Sequence, residues 1–437
     1  MRLNLCSWTY VFLSFVKNKS ISRYALYSAK VQSVEQASFF NSLTDQLNLD
    51  VWVHSSPARD GIVLVPKNLQ MFFQNELYAA GIKHKIEVQN IKEMLDLEDT
   101  LMKKTNHKKN NNTGLSFDRI YTYSEVDDYL EGLATAHPTE VTLVNAGKSF
   151  EGRDIKYVKI SSTQFQDPNR PIVFMQSLIH AREWITLPVT LYAIHKLVID
   201  VTENHMARDV DWIILPIANP DGYEYSHKKF RFWRKNRSTG NIIANICVGV
   251  DLNRNYDINW SVTSSKIPCS ETFHGRSPFS EPETAITRDI LAKHGDRIKL
   301  FLDVHSFGSM ILYGYGTGEL PNNDKTINLL GLKMAETIDE VKLKCNPKYT
   351  VGNVADVLYQ ASGSAQDYAQ NIGIPFSYTI ELPGYKYGLG TLFGFLVDPN
   401  FIEQAGLETW EAVKVGAQFI LDNFNTSTEK YMHSNYP

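Results

Sequence analysis

The sequence predicts an α/β protein in two parts, in which a small ferredoxin-like α+β domain precedes a large mixed, mostly parallel sheet flanked by helices. First, the predicted elements of residues 22–92 follow the order βαββαβ. Second, strands rich in Val, Ile and Leu alternate with long helices from about residue 118, a pattern typical of mostly parallel sheets covered on both faces. Third, the length of 437 residues exceeds that of one ordinary domain.

The small domain is predicted from capping, alternation and turn signals. Ser33 and Gln36 form a capping box that starts the first helix, and Gly81 ends the second. Residues 49–54 alternate between apolar and polar side chains, as a half-buried strand does. The predicted strands are 24–31, 49–54, 62–65 and 85–88, and the predicted helices are 33–47 and about 69–81.

The large domain, residues 115–437, is predicted from apolar runs of strand length and from longer stretches with helical periodicity. No internal repeat is visible. The predicted strands are 157–160, 172–179, 212–218, 300–304, 311–313 and 376–382, and the predicted helices include 124–136, 187–200, 281–294, 325–341 and 407–424.

Composition argues against two classes of partner. The net charge of -4 and the sequence pI of about 6.3 do not favour nucleic acid or an anionic membrane surface. No apolar stretch reaches the roughly 18 residues that a membrane-spanning helix needs. Residues 1–21 are predicted to be a leader, because Arg2 precedes a short apolar run. Residues with hydroxyl side chains interrupt that apolar run, so it is compatible with an intact and with an altered signal peptide. We expect the protein to be secreted.

Residues 93–114 are predicted to be a connector that a protease cuts. They contain the basic run KKTNHKK at 103–109, and no apolar residue occurs between Met102 and Leu115. Such a stretch is expected to be exposed, and paired lysines between two folded units favour cleavage by a trypsin-like protease. A flexible linker that stays intact is the alternative.

A metal site is predicted where two strands end. The strand at 172–179 runs into His180 and Glu183, whose spacing places both on one face of a helical turn. His305 follows the strand at 300–304. Sites of open α/β sheets form at the carboxyl ends of strands, and three protein ligands with an open position are typical of catalytic zinc. The spacing of His180 and Glu183 alone is weak, since a surface histidine beside an acid gives the same pattern.

Five motifs in a fixed order carry a resemblance to a known family. They are His180-Ala181-Arg182-Glu183-Trp184, Asn219-Pro220-Asp221-Gly222-Tyr223, Gly249-Val250-Asp251-Leu252-Asn253-Arg254-Asn255, His305-Ser306-Phe307 and Tyr359-Gln360-Ala361-Ser362-Gly363. On these residues the chain resembles the digestive zinc carboxypeptidases of the A/B type, and residues 22–92 resemble their propeptide. The resemblance spans nearly the whole chain and implies a zymogen of an exopeptidase that removes single C-terminal residues.

The resemblance implies one Zn²⁺ per chain and gives roles to individual residues. The implied zinc ligands are His180, Glu183 and His305. Glu381 is expected to be the general base, Arg234 to stabilise the oxyanion, and Asp251 to be a hydrogen-bond partner of His180. The implied substrate-binding residues are Arg182, Asn253, Arg254, Tyr359, Gln366 and Phe395, with Asn253, Arg254 and Tyr359 on the terminal carboxylate.

The chemistry asks for these residue types as well. Zinc lowers the pKa of a water molecule to about 7, so a carboxylate can take its proton near neutral pH. An arginine aimed at the tetrahedral oxygen supplies positive charge before the reaction begins. A second arginine can grip a carboxylate with two hydrogen bonds, which explains why only chain ends are cut.

The cysteines are less informative. Cys247 and Cys269 lie 22 positions apart, and we favour a disulfide between them, with reduced, buried cysteines as the alternative. Cys345 is left over, and Cys6 would leave with a signal peptide.

The chain also departs from the family pattern. Phe307 stands where relatives usually have tyrosine, and the loop at 382–391 is longer than usual, which makes the match of Phe395 less direct. A catalytically inactive relative that binds peptide ends, or a non-enzymatic adhesion module, would lack a ligand or the base, and none is missing.

Two residues bear on the preferred C-terminal residue. Gln366 occupies the position that sets the floor of the pocket in the family, and glutamine is neutral. Asp303 shares a strand face with His305 and could add a charge, or it could be a structural carboxylate. We expect neutral C-terminal residues, apolar or amide, to be preferred. The expected partners are peptide and protein C-termini and the activating protease, with the enzyme a monomer.

Overall fold

The computed structural model describes residues 24–105, 115–240, 247–384 and 392–424. The predicted leader at 1–21 lies outside these ranges, as do residues 106–114 of the predicted connector and 385–391 of the longer loop. The chain divides into two compact units. The first runs to Leu97 and includes short segments at Cys247 and Cys269, and the second begins at Glu98.

The first unit is a ferredoxin-like α+β fold, as predicted. Its four strands are entirely antiparallel in the order β2-β3-β1-β4. Tyr27, Phe40 and Phe73 are fully buried between sheet and helices. Ser33 caps the first helix by accepting from the Gln36 amide. The elements are β1 (Tyr24–Lys30), α1 (Val34–Gln46), β2 (Asp50–Val53), β3 (Gly61–Pro66), α2 (Lys67–Ala79) and β4 (Lys83–Val88).

The second unit is a mixed sheet between helices, and the predicted fold class is confirmed. Helix α3 (Ile91–Thr105) leads into it. Its strands are β5 (Val141–Lys148), β6 (Asp154–Ile160), β7 (Ile172–Ser177), β8 (Asp211–Leu215), β9 (Ile298–Ser306), β10 (Met310–Tyr313), β11 (Thr350–Asn353) and β12 (Phe376–Leu382). Its other helices are α4 (Tyr123–Ala136), α5 (Thr186–Val198), α6 (Asn204–Asp209), α7 (Pro220–Lys228), α8 (Pro282–His294), α9 (Asp324–Val341), α10 (Val354–Val357), α11 (Ala365–Asn371) and α12 (Ile402–Phe424).

The sheet is parallel at its centre, with antiparallel pairs on either side of the centre and a parallel pair, β10 and β11, at one edge. In the described ranges its eight strands follow the order β11-β10-β12-β9-β7-β8-β6-β5. The central run β12, β9, β7 and β8 is parallel throughout. β6 joins β8, β5 joins β6, and β10 joins β12 in antiparallel fashion. Parallel neighbours align their carboxyl ends, so the loops that follow these four strands meet at one edge.

Both faces of the sheet are buried, which explains the nearly continuous apolar runs of its strands. Along β7, Val173 and Met175 belong to one core cluster, while Ile172 and Phe174 belong to a second on the opposite face. The sequence missed the edge strands β5 and β11. It also missed helix α3, whose many charged residues resembled those of a linker. No helix in the described ranges is long and apolar enough to cross a bilayer.

Candidate active site

Three neighbouring parallel strands bring the predicted metal and base residues to one edge of the sheet. His180 follows β7, and His305 is the penultimate residue of β9. Glu381, the penultimate residue of β12, pairs directly with His305 in the register of the two strands. The site therefore lies where open α/β sheets generally place one.

The segment from His180 to Glu183 is a turn and not the helical turn that the spacing predicted. The Glu183 amide donates to the His180 carbonyl at 3.2 Å, but the Ala181 amide donates to the carbonyl of Arg234 at 3.0 Å. That bond engages the backbone with another segment, so helix α5 begins only at Thr186. The turn still directs both side chains to one point, which is what the prediction required.

His180, Glu183 and His305 form a group that could hold a metal ion, the one such group found in the described ranges. The Nδ1 atoms of the two histidines are 3.1 Å apart. The Glu183 carboxylate lies 2.8 Å from His180 Nδ1 and 3.1 Å from His305 Nδ1. Ligand atoms at about 2.0–2.1 Å around a tetrahedral zinc would be about 3.3 Å apart. The donor set therefore fits zinc in both atom type and spacing.

The far nitrogen of each imidazole faces a carboxylate. His180 Nε2 lies 3.1 Å from Asp251 Oδ1, and His305 Nε2 lies 2.9 Å from Asp303 Oδ2. A carboxylate accepts hydrogen bonds, so each Nε2 carries the hydrogen and each Nδ1 is left as the ligand nitrogen. The predicted partnership of Asp251 with His180 agrees with this geometry, and the contact of Asp303 with His305 was not predicted.

Asp251 links the metal group to Arg234. The Nε and Nη2 atoms of Arg234 donate to Asp251 Oδ2 at 3.1 and 2.9 Å. Burial alone would raise the pKa of Asp251, but the guanidinium groups of Arg234 and Arg254 hold that pKa well below its usual value. The carboxylate therefore stays ionised and fixes Arg234 beside the metal ligands.

Glu381 has the properties of a general base. Its burial raises the pKa to about 7, with Glu183 and Asp303 adding to the rise while His305 and Arg234 oppose it. A base is most effective when its pKa is close to the working pH. Strongly shifted carboxylates in such a setting are candidates for catalysis.

Three predicted carboxylate-binding residues lie together. Arg254 Nη2 donates to the Tyr359 hydroxyl at 3.1 Å, and Arg254 Nη1 donates to the Asn253 carbonyl at 2.7 Å. Asn253 also accepts from the Ala365 amide, which connects it to the start of α11. Gly363 needs its positive φ of 75° and its lack of a side chain, because a Cβ would lie 2.5 Å from the Arg254 carbonyl oxygen.

Arg182 and Phe395 form the other predicted substrate wall. The Arg182 guanidinium lies 4.2 Å from the centre of the Phe395 ring, and Phe307 packs edge-on against Phe395 at 5.0 Å. The role of Phe395 in the substrate cleft stays a prediction. Phe307 contributes an apolar ring beside Phe395.

Arg231 is a residue that the sequence did not single out. It donates to the carbonyl oxygens of Arg182 and Phe395 at 2.9 and 2.5 Å and stacks on Trp184 at 3.6 Å. Glu98 of helix α3 forms a buried ion pair with it. Arg231 therefore fixes the backbone of both wall residues. Its position three residues before Arg234 was the available signal.

Gln366 is fully buried near the first turn of α11. Its Nε2 donates to the Gly314 carbonyl at 3.0 Å, and its Oε1 has no hydrogen-bond partner. The adjacent Asp367 accepts from the Gly316 amide with one oxygen, while the other has no partner. Burial raises the pKa of Asp367 to about 7. The sequence did not identify Asp367, although an acid next to Gln366 was visible.

Both oxygens of Asp303 are engaged by neighbouring side chains, so the carboxylate is not open to a substrate group. Its second oxygen accepts from Gln176 Nε2 at 2.9 Å, and its side chain is fully buried. The structural alternative for Asp303 is thus the better description, with side chains rather than backbone donors as its partners. A disulfide between Cys247 and Cys269 is present, as favoured, and Cys345 is free and exposed.

Known proteins match both parts of the chain. A family described as zinc carboxypeptidase matches residues 126–412, and a family described as carboxypeptidase activation peptide matches residues 27–98. Carboxypeptidase B of Helicoverpa zea is 42% identical over 97% of this chain and 98% of its own. Carboxypeptidase A2 of Mus musculus is 30% identical over 87% and 89% of the two chains.

Solved structures give the same picture. The crystal structure of the carboxypeptidase A from Helicoverpa armigera superposes with a TM-score of 0.91 at 54% identity, covering 93% of this chain and 99% of that one. The similar proteins thus carry both A and B designations.

Proposed function

This chain belongs to the zinc carboxypeptidase family and includes its activation peptide, and from that premise we propose how its own residues bind zinc, cut the last peptide bond and select the terminal residue. The chain is a zinc metallocarboxypeptidase made as a zymogen, so the family resemblance found in the sequence is confirmed. Nothing favours the alternative of a catalytically inactive peptide-binding protein.

His180, Glu183 and His305 are the proposed zinc ligands. The observation that carries the proposal is the convergence of two Nδ1 atoms and one carboxylate within 2.8–3.1 Å, with both Nε2 atoms held by carboxylates. When bound there, zinc supplies Lewis acidity toward the substrate carbonyl and toward water.

Glu381 is the proposed general base and Arg234 the proposed oxyanion partner. Glu381 takes a proton from the attacking water and later delivers it to the leaving amine, a role that suits its pKa of about 7. Arg234 presents a guanidinium already held in place by Asp251, so it need not reorganise as negative charge grows on the carbonyl oxygen.

Asn253, Arg254 and Tyr359 are the proposed clamp for the terminal carboxylate, and Arg182 and Phe395 are the proposed wall for the residues before the cut. Arg254 offers a rigid set of N–H donors that matches a carboxylate in two hydrogen bonds. A clamp of this kind restricts cutting to the last peptide bond, because an internal bond has no carboxylate at that distance.

A neutral C-terminal residue is the proposed preference. Gln366 carries no charge, and the apolar cluster of Leu312, Val354 and Ala361 lies beside Tyr359. Asp303 cannot present its charge to a terminal side chain, because His305 and Gln176 occupy both its oxygens. Burying a lysine or arginine without a partner would cost several kcal/mol. The unpaired Oε1 of Gln366 could accept from a terminal amide side chain.

Matched peptides that end in Phe, Leu, Gln, Lys, Arg and Glu test the preference by kcat/KM. We expect Phe, Leu and Gln to exceed Lys and Arg, and Gln366→Asp to shift the preference toward the basic residues. Asp367→Asn is the matched control. If Lys or Arg leads by tenfold or more and Asp367→Asn abolishes that lead, Asp367 governs the pocket and the proposal is wrong.

Processing and location complete the proposal. Cleavage by a trypsin-like protease is proposed within the connector at 93–114, which separates a propeptide at 22–92 from a catalytic domain at 115–437. The paired lysines of the 103–109 run are the proposed sites of the cut, and Lys103 and Lys104 lie in the last turn of α3. Secretion is proposed because the Cys247–Cys269 disulfide is typical of oxidising compartments. A monomeric state stays a prediction.

A further inference from the structure

The carboxylates that face the two histidines of the metal group differ in whether a cationic side chain neutralises them. Asp251, the partner of His180, is neutralised by two hydrogen bonds from Arg234. Asp303, the partner of His305, has no cationic side chain beside it other than that imidazole in the described part of the chain. The positive partner nearest to the negative charge of Asp303 is therefore in the metal group.

The fold holds Asp303 in a rigid setting. It lies two residues before His305 on β9, with Gln176 of β7 opposite it on one side and Thr379 of β12 on the other. Gln176 Nε2 donates to Asp303 Oδ1, and the hydroxyl of Thr287 donates to Gln176 Oε1 at 3.2 Å. Asp303 and Gln176 are fully buried and Thr287 is almost so. This chain of hydrogen bonds fixes the carboxylate at the centre of the sheet.

We propose that Asp303 is a positioning residue that holds His305 with Nδ1 toward the metal and retains zinc through its uncompensated negative charge. The proposal rests on the assignment of His180, Glu183 and His305 as zinc ligands. Asn253 does not perform this role. Its Nδ2 is a donor 3.4 Å from His305 Nε2, so it cannot accept the hydrogen of that nitrogen.

The expected size of the effect follows from similar partners of metal-bound histidines, whose removal costs about 10–100-fold in metal affinity. Asp303→Ser removes both the charge and the contact and should raise the zinc Kd by about 10–100-fold. Asp303→Asn keeps an oxygen that can accept from His305 and should recover part of that loss. Gln176→Met removes a support of Asp303 but leaves its charge, and should change the zinc Kd by much less.

The experiment measures zinc itself and not only turnover. Each full-length variant is freed of metal, and its zinc Kd and dissociation rate are measured by competition with a chromogenic chelator. Thermal unfolding with and without zinc gives the metal-dependent part of stability, which a purely structural role would leave unchanged. Co²⁺ substitution reports the geometry of the ligands through its visible absorption, and Asp303→Ser should alter that spectrum.

The outcomes separate this inference from the site assignment. Failure of the unaltered protein to bind one zinc would remove the ligand assignment itself. If the protein binds zinc and Asp303→Ser keeps the Kd and dissociation rate within twofold, the inference is overturned. It is also overturned if Gln176→Met loses zinc as readily as Asp303→Ser, because the network and not the charge would then matter. If the serine variant does not fold, the zinc Kd and dissociation rate of Asp303→Asn test the inference instead, since that substitution preserves side-chain volume.

Discussion

Replacing Glu381 by glutamine is the change that best separates metal binding from turnover. Glutamine has nearly the volume of glutamate but cannot accept a proton from water. Glu381 lies on β12 opposite His305 and is not one of the three proposed ligands. The variant should therefore fold, bind one zinc and bind substrate, and lose nearly all turnover.

The magnitude follows from the position of Glu381. Burial raises its pKa to about 7, so its carboxylate is available near neutral pH and accepts a proton with little driving force lost. General-base catalysis typically contributes about 10²–10⁴-fold, which corresponds to about 2.7–5.4 kcal/mol of activation free energy. The neighbouring acids Glu183 and Asp303 are engaged by the histidines and cannot replace it. We therefore expect a loss in the upper half of that range.

The assay is kcat/KM on a blocked dipeptide after activation, with zinc content measured on the same sample. Glu381→Asp is the matched control, because it keeps a carboxylate on a side chain one methylene shorter. Its kcat/KM should fall between those of the unaltered protein and Glu381→Gln. If Glu381→Gln retains zinc and loses less than tenfold in kcat/KM, another residue is the base and the reasoning from its pKa is refuted.

Three further predictions concern the metal, the zymogen and stability. His305→Ala should lose both zinc and activity, which metal analysis checks; full activity without zinc would exclude the proposed ligand set. Limited trypsin digestion should raise activity, and replacing the lysines of the 103–109 run by glutamine should abolish the increase; an intact chain that is already fully active would contradict the zymogen proposal. The folded-state pKa of Asp367 is raised to about 7, so its contribution to stability is greatest below its unfolded pKa and is lost as pH rises toward 7. The unfolding free energy of Asp367→Asn should therefore rise relative to that of the unaltered protein by on the order of 3 kcal/mol between pH 4 and pH 8. Urea titration at each pH measures this, and a difference that does not change with pH would refute the raised pKa.

The candidate metal group could be located from local strand patterns, whereas the role of Glu381 as general base came from the family resemblance and stays a prediction. Each of His180, His305 and Glu381 lies at the end of an apolar run, and parallel strands bring such ends together by geometry alone. The expected helical turn at His180 and Glu183 was wrong, but the two side chains still lie close together. A tight turn and a helical turn both bring residues three positions apart to one side.

Other features depend on contacts that no local pattern encodes. Strand periodicity placed Asp303 on the same face as His305 but could not tell whether it turned toward the pocket or the imidazole. The partner that settles this, Gln176, lies 127 residues away in the chain. Arg231 was missed for the same reason, since its role is to bind the carbonyl oxygens of Arg182 and Phe395. The edge strands β5 and β11 gain much of their order from neighbours rather than from their own apolar pattern.

The surplus of buried carboxylates connects metal binding to the strength of the base. Within the part of the chain that the structure describes, Glu183 and Asp303 face imidazoles and form no ion pair with a guanidinium, whereas Asp251 is neutralised by Arg234. Buried negative charge without a full counter-charge is costly, and a divalent cation relieves that cost. The same two carboxylates raise the pKa of Glu381, while a cation in the site lowers it. Asp303 therefore has two effects at the site. It strengthens the attraction for zinc, and it offsets part of the decrease that zinc would cause in the pKa of Glu381.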